Sequence, residues 1–222
     1  MTLAIFDLDN TLLAGDSDHA WGQFLVDAEL VDPKSHREQN DRFYQDYLNG
    51  ELDIYRYQQF ALAPIAGRDL EEVEAWRQAF MNARIRPLFQ RKAYELLAKH
   101  RDQGHTLMII TATNRFVTGP IAEAMGIEHL LATEPELRDG RYTGDITGVP
   151  TYREGKVLRL REWLKEHGEV LDGAWFYSDS HNDLPLLKLV DNPVAVDPDP
   201  TLERYAREQG WPVMSLREPA TP

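Results

Sequence analysis

The sequence predicts an α/β protein: a parallel β-sheet with helices on both faces and a helical segment inserted after the first strand. Three observations carry this. Short apolar runs take turns with amphipathic stretches, the strong runs end in polar residues, and the rhythm breaks once, for 70 residues from Asp16 to Ile85. Strand and helix in alternation are the pattern of a parallel sheet covered by helices.

The first strand is Leu3–Phe6, a continuous apolar run that ends in Asp7-Leu8-Asp9-Asn10-Thr11. Such a run, bounded by turn formers, fits a strand buried on both faces. Thr106–Thr111 and Ala174–Tyr177 repeat it, closing in Ala112-Thr113-Asn114 and in Ser178-Asp179-Ser180-His181-Asn182-Asp183. Val194–Val196 and Val213–Ser215 are weaker strands. Helices are expected over Leu88–Arg101, Arg115–Met125, Glu154–Glu166 and Thr201–Gln209. Gly104, Gly126, Gly168 and Gly210 follow them, where helix ends favour glycine. Glu136–Thr147, with Asp139-Gly140 at its centre, reads as a β-hairpin, and the tail Arg217–Pro222 as frayed.

The interruption reads as four helices separated near Asp32-Pro33, Asn49-Gly50 and Ala63–Gly67. Aromatic and apolar residues recur there at helical spacing: Trp21, Phe24 and Leu25; Phe43, Tyr44, Tyr47 and Leu48; Trp76 and Phe80. These are read as the segment's own core. A connection of this length is far beyond an ordinary loop. The expected division is a core domain of residues 1–15 and 86–222 and a small helical cap of residues 16–85.

Composition narrows the function. At 222 residues a sizeable core can be buried without staples. The absence of cysteine excludes disulfides, thiolate metal sites and thiol nucleophiles. The histidines show no ligand spacing, which disfavours zinc. A net charge of −13 argues against nucleic acid or an anionic membrane as partner, since both need a basic face. With neither a long apolar run nor a signal-peptide pattern, a cytoplasmic protein acting on a small molecule is expected.

In an open parallel sheet, ligands bind beyond the carboxyl ends of the strands. Asp7-x-Asp9-x-Thr11 places two acids there, although a lone pair of this kind is more often a turn or a helix cap. The company it keeps changes the odds. Thr111 closes the second strand with a hydroxyl, and Lys156 starts a helix, where a cation opposes the helix dipole. Asp179 and Asp183 follow the third strand. In this order, Asp7-x-Asp9-x-Thr11, Thr111, Lys156 and Asp179-x-x-x-Asp183 resemble the four motifs of the haloacid dehalogenase superfamily. The helical insert between the first two resembles its C1-capped, phosphoserine-phosphatase-like branch. The resemblance runs from Leu3 to Val196.

It implies a Rossmann-like core, Mg²⁺ as cofactor and a phosphomonoester hydrolase that works through an aspartyl-phosphate. Asp7 is then the nucleophile and Asp9 the general acid and base. Asp7, Asp179 and the main-chain carbonyl of Asp9 hold the metal. Thr111 and Lys156 hold the phosphoryl oxygens, and Asp183 orients Lys156 or a metal-bound water. Asp9 favours phosphate esters over halides, because a halide leaves without a proton.

The cap is expected to choose the ester. It carries 14 acidic and 7 basic side chains, most of which read as a solvated acidic surface, with Asp16 and Asp18 set apart. Asp16 and Asp18 follow the catalytic strand; Asp16 falls where phosphoserine phosphatases carry a glutamate for the substrate's amino group. Thr11, Thr113 and Asn182 are further candidate substrate contacts, and Arg56 is a candidate for a substrate carboxylate. Trp21 and His181 have both structural and substrate-facing readings, while Asn114 and Arg115 read as helix caps. Thr111-Ala112-Thr113 stands in place of the phosphoserine phosphatases' Ser-Gly-Gly, and the fourth motif lacks their glycine. Asp16–Trp21 and Thr111–Pro120 are similar to a bacterial subgroup assigned to histidinol-phosphate hydrolysis. Histidinol phosphate is therefore expected first and phosphoserine second. A phosphotransferase of the same superfamily would share these residues. A receiver-type phosphoacceptor is disfavoured, because its acceptor sits on a middle strand.

Overall fold

The computed structural model describes residues 2–218. In chain order, β1 (Leu3–Phe6) is followed by a tight turn at Leu8–Leu12 and four helices: α1 (Ser17–Asp27), α2 (Pro33–Leu48), α3 (Ile54–Leu62) and α4 (Leu70–Phe80). Then come α5 (Arg91–Asp102), β2 (Thr106–Asn114), α6 (Arg115–Ala124), β3 (His129–Arg138) and β4 (Arg141–Thr147). The chain continues through α7 (Glu154–His167), β5 (Trp175–Ser178), α8 (Leu184–Leu187), β6 (Asn192–Val196), α9 (Pro200–Gln209) and β7 (Val213–Met214). The strands form one sheet in the order β4-β3-β2-β1-β5-β6-β7, with only the β3–β4 pair antiparallel.

Alternation along β1 sends Leu3 and Ile5 to one face and Ala4 and Phe6 to the other, where each pair joins a separate buried cluster. β1 is therefore apolar throughout because both of its faces are covered. Its neighbours are in register: Phe6 lies beside Ile109 of β2 and Tyr177 of β5. Asp7, Thr111 and Asp179 come one or two residues after those three and so lie toward the same end of the sheet.

The four inserted helices break where the sequence places the breaks. Asp16, Asp32 and Asp53 accept from main-chain N–H groups at the starts of α1, α2 and α3, replacing bonds that a first turn lacks. The two ends of the insert meet: Leu13 bridges to Phe89, and Ala14 N donates to Leu88 O at 2.8 Å.

Several expectations are corrected. β2 runs on to Asn114, so Thr113 and Asn114 are strand residues rather than a loop. The hairpin turns at Asp139-Gly140 as expected, but its first strand, β3, begins at His129 and pairs parallel with β2. Leu130 and Leu131, too short a run to stand out, carry that pairing. Leu88 precedes α5 in a separate turn. The insert's stripes are not one self-contained core. Trp21, Phe24, Phe80 and Ile85 belong to the same cluster as Phe6, Phe116 and Ile121, and the ring centroids of Trp21 and Phe116 are 5.4 Å apart. Residues 219–222 of the expected frayed tail lie outside the described residues. Arg217 is anchored, donating to Leu13 O at 3.0 Å and to Asn10 O at 2.8 Å.

Candidate active site

The turn after β1 does the first positioning. Asn10 takes a left-handed conformation (φ 56°), and Leu13 N closes the turn on Leu8 O at 3.0 Å. Asp7 and Asp9 are thereby aimed past the sheet end, while Thr11 is turned back underneath. The Thr11 hydroxyl is fully buried, 3.4 Å from Asp7 Oδ2 and 3.1 Å from Asp179 Oδ1, and it accepts from Asp179 N at 3.1 Å. Thr11 is thus a strut between two carboxylates and does not line the cavity.

Lys156 lies on the first turn of α7 and is 3% exposed. Its ammonium donates to Asp7 Oδ1 at 2.7 Å and to Asp183 at 2.8 Å. Burial alone would lower its pKa, but Asp183 and Asp7 outweigh that and raise it. The ammonium therefore stays charged, which explains why the sequence tolerates a cation against the helix dipole. Asp183 is fixed in turn by the Ser178 hydroxyl at 2.7 Å.

One ammonium does not neutralise the carboxylates around it. Burial, with Asp183 and Asp9 nearby, holds the Asp7 carboxyl up at about 7 despite Lys156. Burial and the charges of Asp7 and Asp183 push Asp179 well above the carboxylate range. Asp9 is raised to about 6 by burial and by Asp16, against bonds from Ser17 N at 2.6 Å and the Thr113 hydroxyl at 2.8 Å. Among the described residues no three Asp, Glu, His or Cys side chains are gathered as a metal cage. The hard-oxygen donors are the pair Asp7 and Asp179, bridged by Thr11.

Asp7, Asp9, Thr111 and Lys156 open into a cavity of about 50 Å³, which is roofed by the insert. Thr111 Oγ1 accepts from Thr113 N at 3.2 Å, which leaves its own O–H to donate elsewhere. Asp16, Asp18 and Thr113 line the same cavity. Asn182 lines it too, but both ends of its amide are engaged by protein: Nδ2 donates to Tyr47 O, and Oδ1 accepts from Tyr152 and Arg153.

Five residues singled out in the sequence do not line the cavity. Arg56 is exposed and outside the cavity. Trp21 is buried among Phe24, Phe80 and Phe116. His181 is paired to Asp199 at 2.8 Å. Asn114 caps α6 through Val117 N at 3.3 Å, whereas Arg115 is bound to Glu134. The correction with most consequence concerns the stripe Phe43, Tyr44, Tyr47 and Leu48: the three rings line the cavity with Tyr57, and Leu48 is 46% exposed. Two tyrosines in that stripe, with Tyr57 on the next helix, are the available signal, since a buried phenol needs a polar partner.

The family model described as haloacid dehalogenase-like hydrolase matches residues 4–188. The chain belongs to that family. A histidinol-phosphatase of Neisseria meningitidis is 46% identical over 219 residues, covering 97% of this chain and 99% of that one. A phosphoserine phosphatase of Mycobacterium tuberculosis is 32% identical over 217 residues, covering 96% of this chain and 70% of its own length. A crystal structure of a Bordetella pertussis protein of unknown function superposes with a TM-score of 0.91 at 44% identity, over 98% of this chain and all of that one. Substrate-bound phosphoserine phosphatase superposes with a TM-score of 0.71 at 18% identity, over 97% of this chain and 93% of that one, a likeness of fold. No helix among the described residues is long and apolar enough to cross a membrane.

Proposed function

We propose that this hydrolase cleaves the phosphate monoester of a small aminated alcohol, histidinol phosphate before phosphoserine. The observation that carries the choice is the lining of the cavity. Asp16 and Asp18 and the rings of Phe43, Tyr44, Tyr47 and Tyr57 form its far wall, and among the described residues Lys156 is the one Lys or Arg on it. Lys156 is committed to the phosphoryl end, so an ammonium finds acids while a carboxylate finds no cation. The 46% identity to a histidinol-phosphatase supports the same order.

The residues fit a magnesium ion. Mg²⁺ takes oxygen ligands, commonly one or two carboxylates with waters and a substrate phosphate. Asp7 and Asp179, with the main-chain carbonyl of Asp9, would hold it, and its charge would offset the burial and mutual repulsion that keep both carboxyl pKa values high. Bound there, it supplies charge neutralisation at the phosphoryl group.

Asp7 Oδ1 attacks phosphorus, forming a carboxylate O–P bond as the ester P–O bond breaks. Asp9 gives its proton to the departing alkoxide, then takes one from the water that hydrolyses the aspartyl-phosphate. Lys156 and the free O–H of Thr111 steady the negative charge on the equatorial oxygens, and Asp183 holds Lys156 in place.

Phosphate release from histidinol phosphate and from phosphoserine, with Mg²⁺ and with chelator, tests the reading. Metal-dependent hydrolysis that favours histidinol phosphate is expected, and Asp16→Ala should narrow that preference. Inactivity on both esters, or a preference for phosphoserine, overturns it.

A further inference from the structure

The cavity is narrow, and Asp7, Thr111 and Lys156 on its floor are 6%, 1% and 3% exposed beneath the insert, so lifting the insert widens the way in for an ester. The connection between α2 and α3 lies directly on the segments that carry Lys156 and Asp183, and two side chains clasp it. Arg153 Nη2 donates to Gly50 O, while its Nε donates to Asn182 Oδ1 at 3.0 Å. Asn182 Nδ2 donates to Tyr47 O at 3.1 Å, and its Oδ1 also accepts from the Tyr152 hydroxyl at 3.2 Å. The guanidinium meets the Gly50 carbonyl just past the C-terminal end of α2, where the helix dipole favours a cation.

The placement of these two residues gives the clasp a consequence. Arg153 precedes α7, and its carbonyl accepts from Lys156 N at 3.0 Å. Asn182 is the neighbour of Asp183. The two groups that grip the insert are thus joined by main chain to the two that meet at Lys156 and, through it, Asp7. Arg153 also holds φ 50° and ψ −119°, a sparsely populated conformation for a side chain of this kind, which persists only where its surroundings enforce it. On the insert side the fit is equally tight. Gly50 has φ +71°, and a Cβ there would lie 2.7 Å from Arg153 Nη2 and 3.0 Å from His181 Nε2.

We infer that Arg153 and Asn182 are positioning residues that couple closure of the insert to the placement of Lys156 and Asp183 against Asp7. With the insert lifted, Gly50 O and Tyr47 O are withdrawn, and Arg153 loses the contact that enforces its backbone. The start of α7 can then relax, so the site is fully assembled only around an enclosed ester. The role asks nothing of the ester beyond its phosphate and holds whichever alcohol the cavity takes.

Arg153→Met and Gly50→Ala test this from opposite sides of the clasp, and neither residue lines the cavity. Amide hydrogen exchange over residues 47–53 reads the closure, and kcat for phosphate release reads the chemistry. Each variant is expected to speed that exchange and to lower kcat on the order of tenfold, as lid variants do, and the double variant to be little worse than either. Arg153→Lys, able to reach one partner but not both, should recover part of the loss. Faster exchange with unchanged kcat would show a clasp without coupling and overturn the inference. So would a fall in kcat with exchange unchanged, which makes Arg153 a group acting on the ester itself.

Discussion

The hydroxyl of Thr113 donates to Oδ2 of Asp9 at 2.8 Å, although 104 residues separate the two in the chain. Ser17 N occupies the other oxygen at 2.6 Å. Both donors favour the carboxylate, while burial and Asp16 favour the acid, and the balance leaves Asp9 at about 6. A group that must first give a proton and then take one is best served by a pKa near the working pH.

Removing the donor should tilt that balance. In Thr113→Val, Asp9 loses a bond made to its charged form, so its pKa rises by on the order of one unit. In the proposed role of acid, Asp9 must be protonated for the ester to be cleaved. The decline of kcat/KM above about pH 6 should therefore move to higher pH in the variant. A pH–rate profile of phosphate release checks this, and an alkaline limb that stays put or moves down removes Asp9 from the role of acid.

Lys156 offers a stability test. Lys156→Met leaves Asp7 and Asp183 buried and facing each other with no cation, a kind of change that costs about 3–5 kcal/mol. Burial already holds the Asp7 carboxyl above its unfolded value, and without the ammonium that opposes it Asp7 stays protonated to higher pH still, so the deficit should shrink on acidification. Denaturant unfolding of both proteins at neutral and mildly acid pH measures it. A deficit that does not change with pH would place the loss in packing instead.

Much of this candidate site is legible in the sequence because polar residues at strand ends are marked by local chemistry. Asp7, Asp9, Thr111 and Lys156 are polar residues at the edge of apolar runs or at a helix start, and they do line the cavity. The cavity wall is a different matter. Tyr44, Tyr47 and Tyr57 obey helical spacing like any core stripe, and only the tertiary position of α2 and α3 turns them toward the site. Arg153 is one of many charged residues, and nothing local distinguishes it; its partners, Gly50 and Asn182, lie 103 and 29 residues away. The parallel half of β3 is equally hidden, since Leu130 and Leu131 gain their meaning only beside Ile109 and Ile110.

Gly155 illustrates the same dependence on a distant neighbour. A Cβ at this position would drive into the carbonyl oxygen of Pro150, main chain with little room to yield. Gly155→Ala should cost about 1–3 kcal/mol in the manner of an overpacked site. It should also lower kcat, because Lys156 is the next residue. Thermal unfolding alongside kinetics tests the link. A variant as active as the parent would show that the turn at Pro150–Gly155 does not hold the ammonium in place.

The acid cluster makes the protein's response to pH unusual. Asp7 and Asp9 are held at about 7 and about 6, and Asp16, Asp18 and Asp179 are also raised, chiefly by burial. Above the ordinary carboxyl pKa of 3.8 the unfolded chain has released protons that the folded one still holds. Without a metal, stability should therefore fall as pH rises from about 4 toward 7, in proportion to the protons retained. Magnesium held by the ionised carboxylates, as proposed above, should reverse the trend. At a hundred times its dissociation constant a ligand adds about 2.7 kcal/mol, worth roughly 5–10 °C in a chain of this size. The gain in Tm on adding Mg²⁺ should be larger at about pH 7.5 than at about pH 5, where protons compete for the same oxygens. Asp179→Asn should lose most of that gain, since one of the two bridged carboxylates is gone. A melting temperature indifferent to Mg²⁺ at both pH values would remove the metal from Asp7 and Asp179, and with it the charge balance on which attack by Asp7 depends.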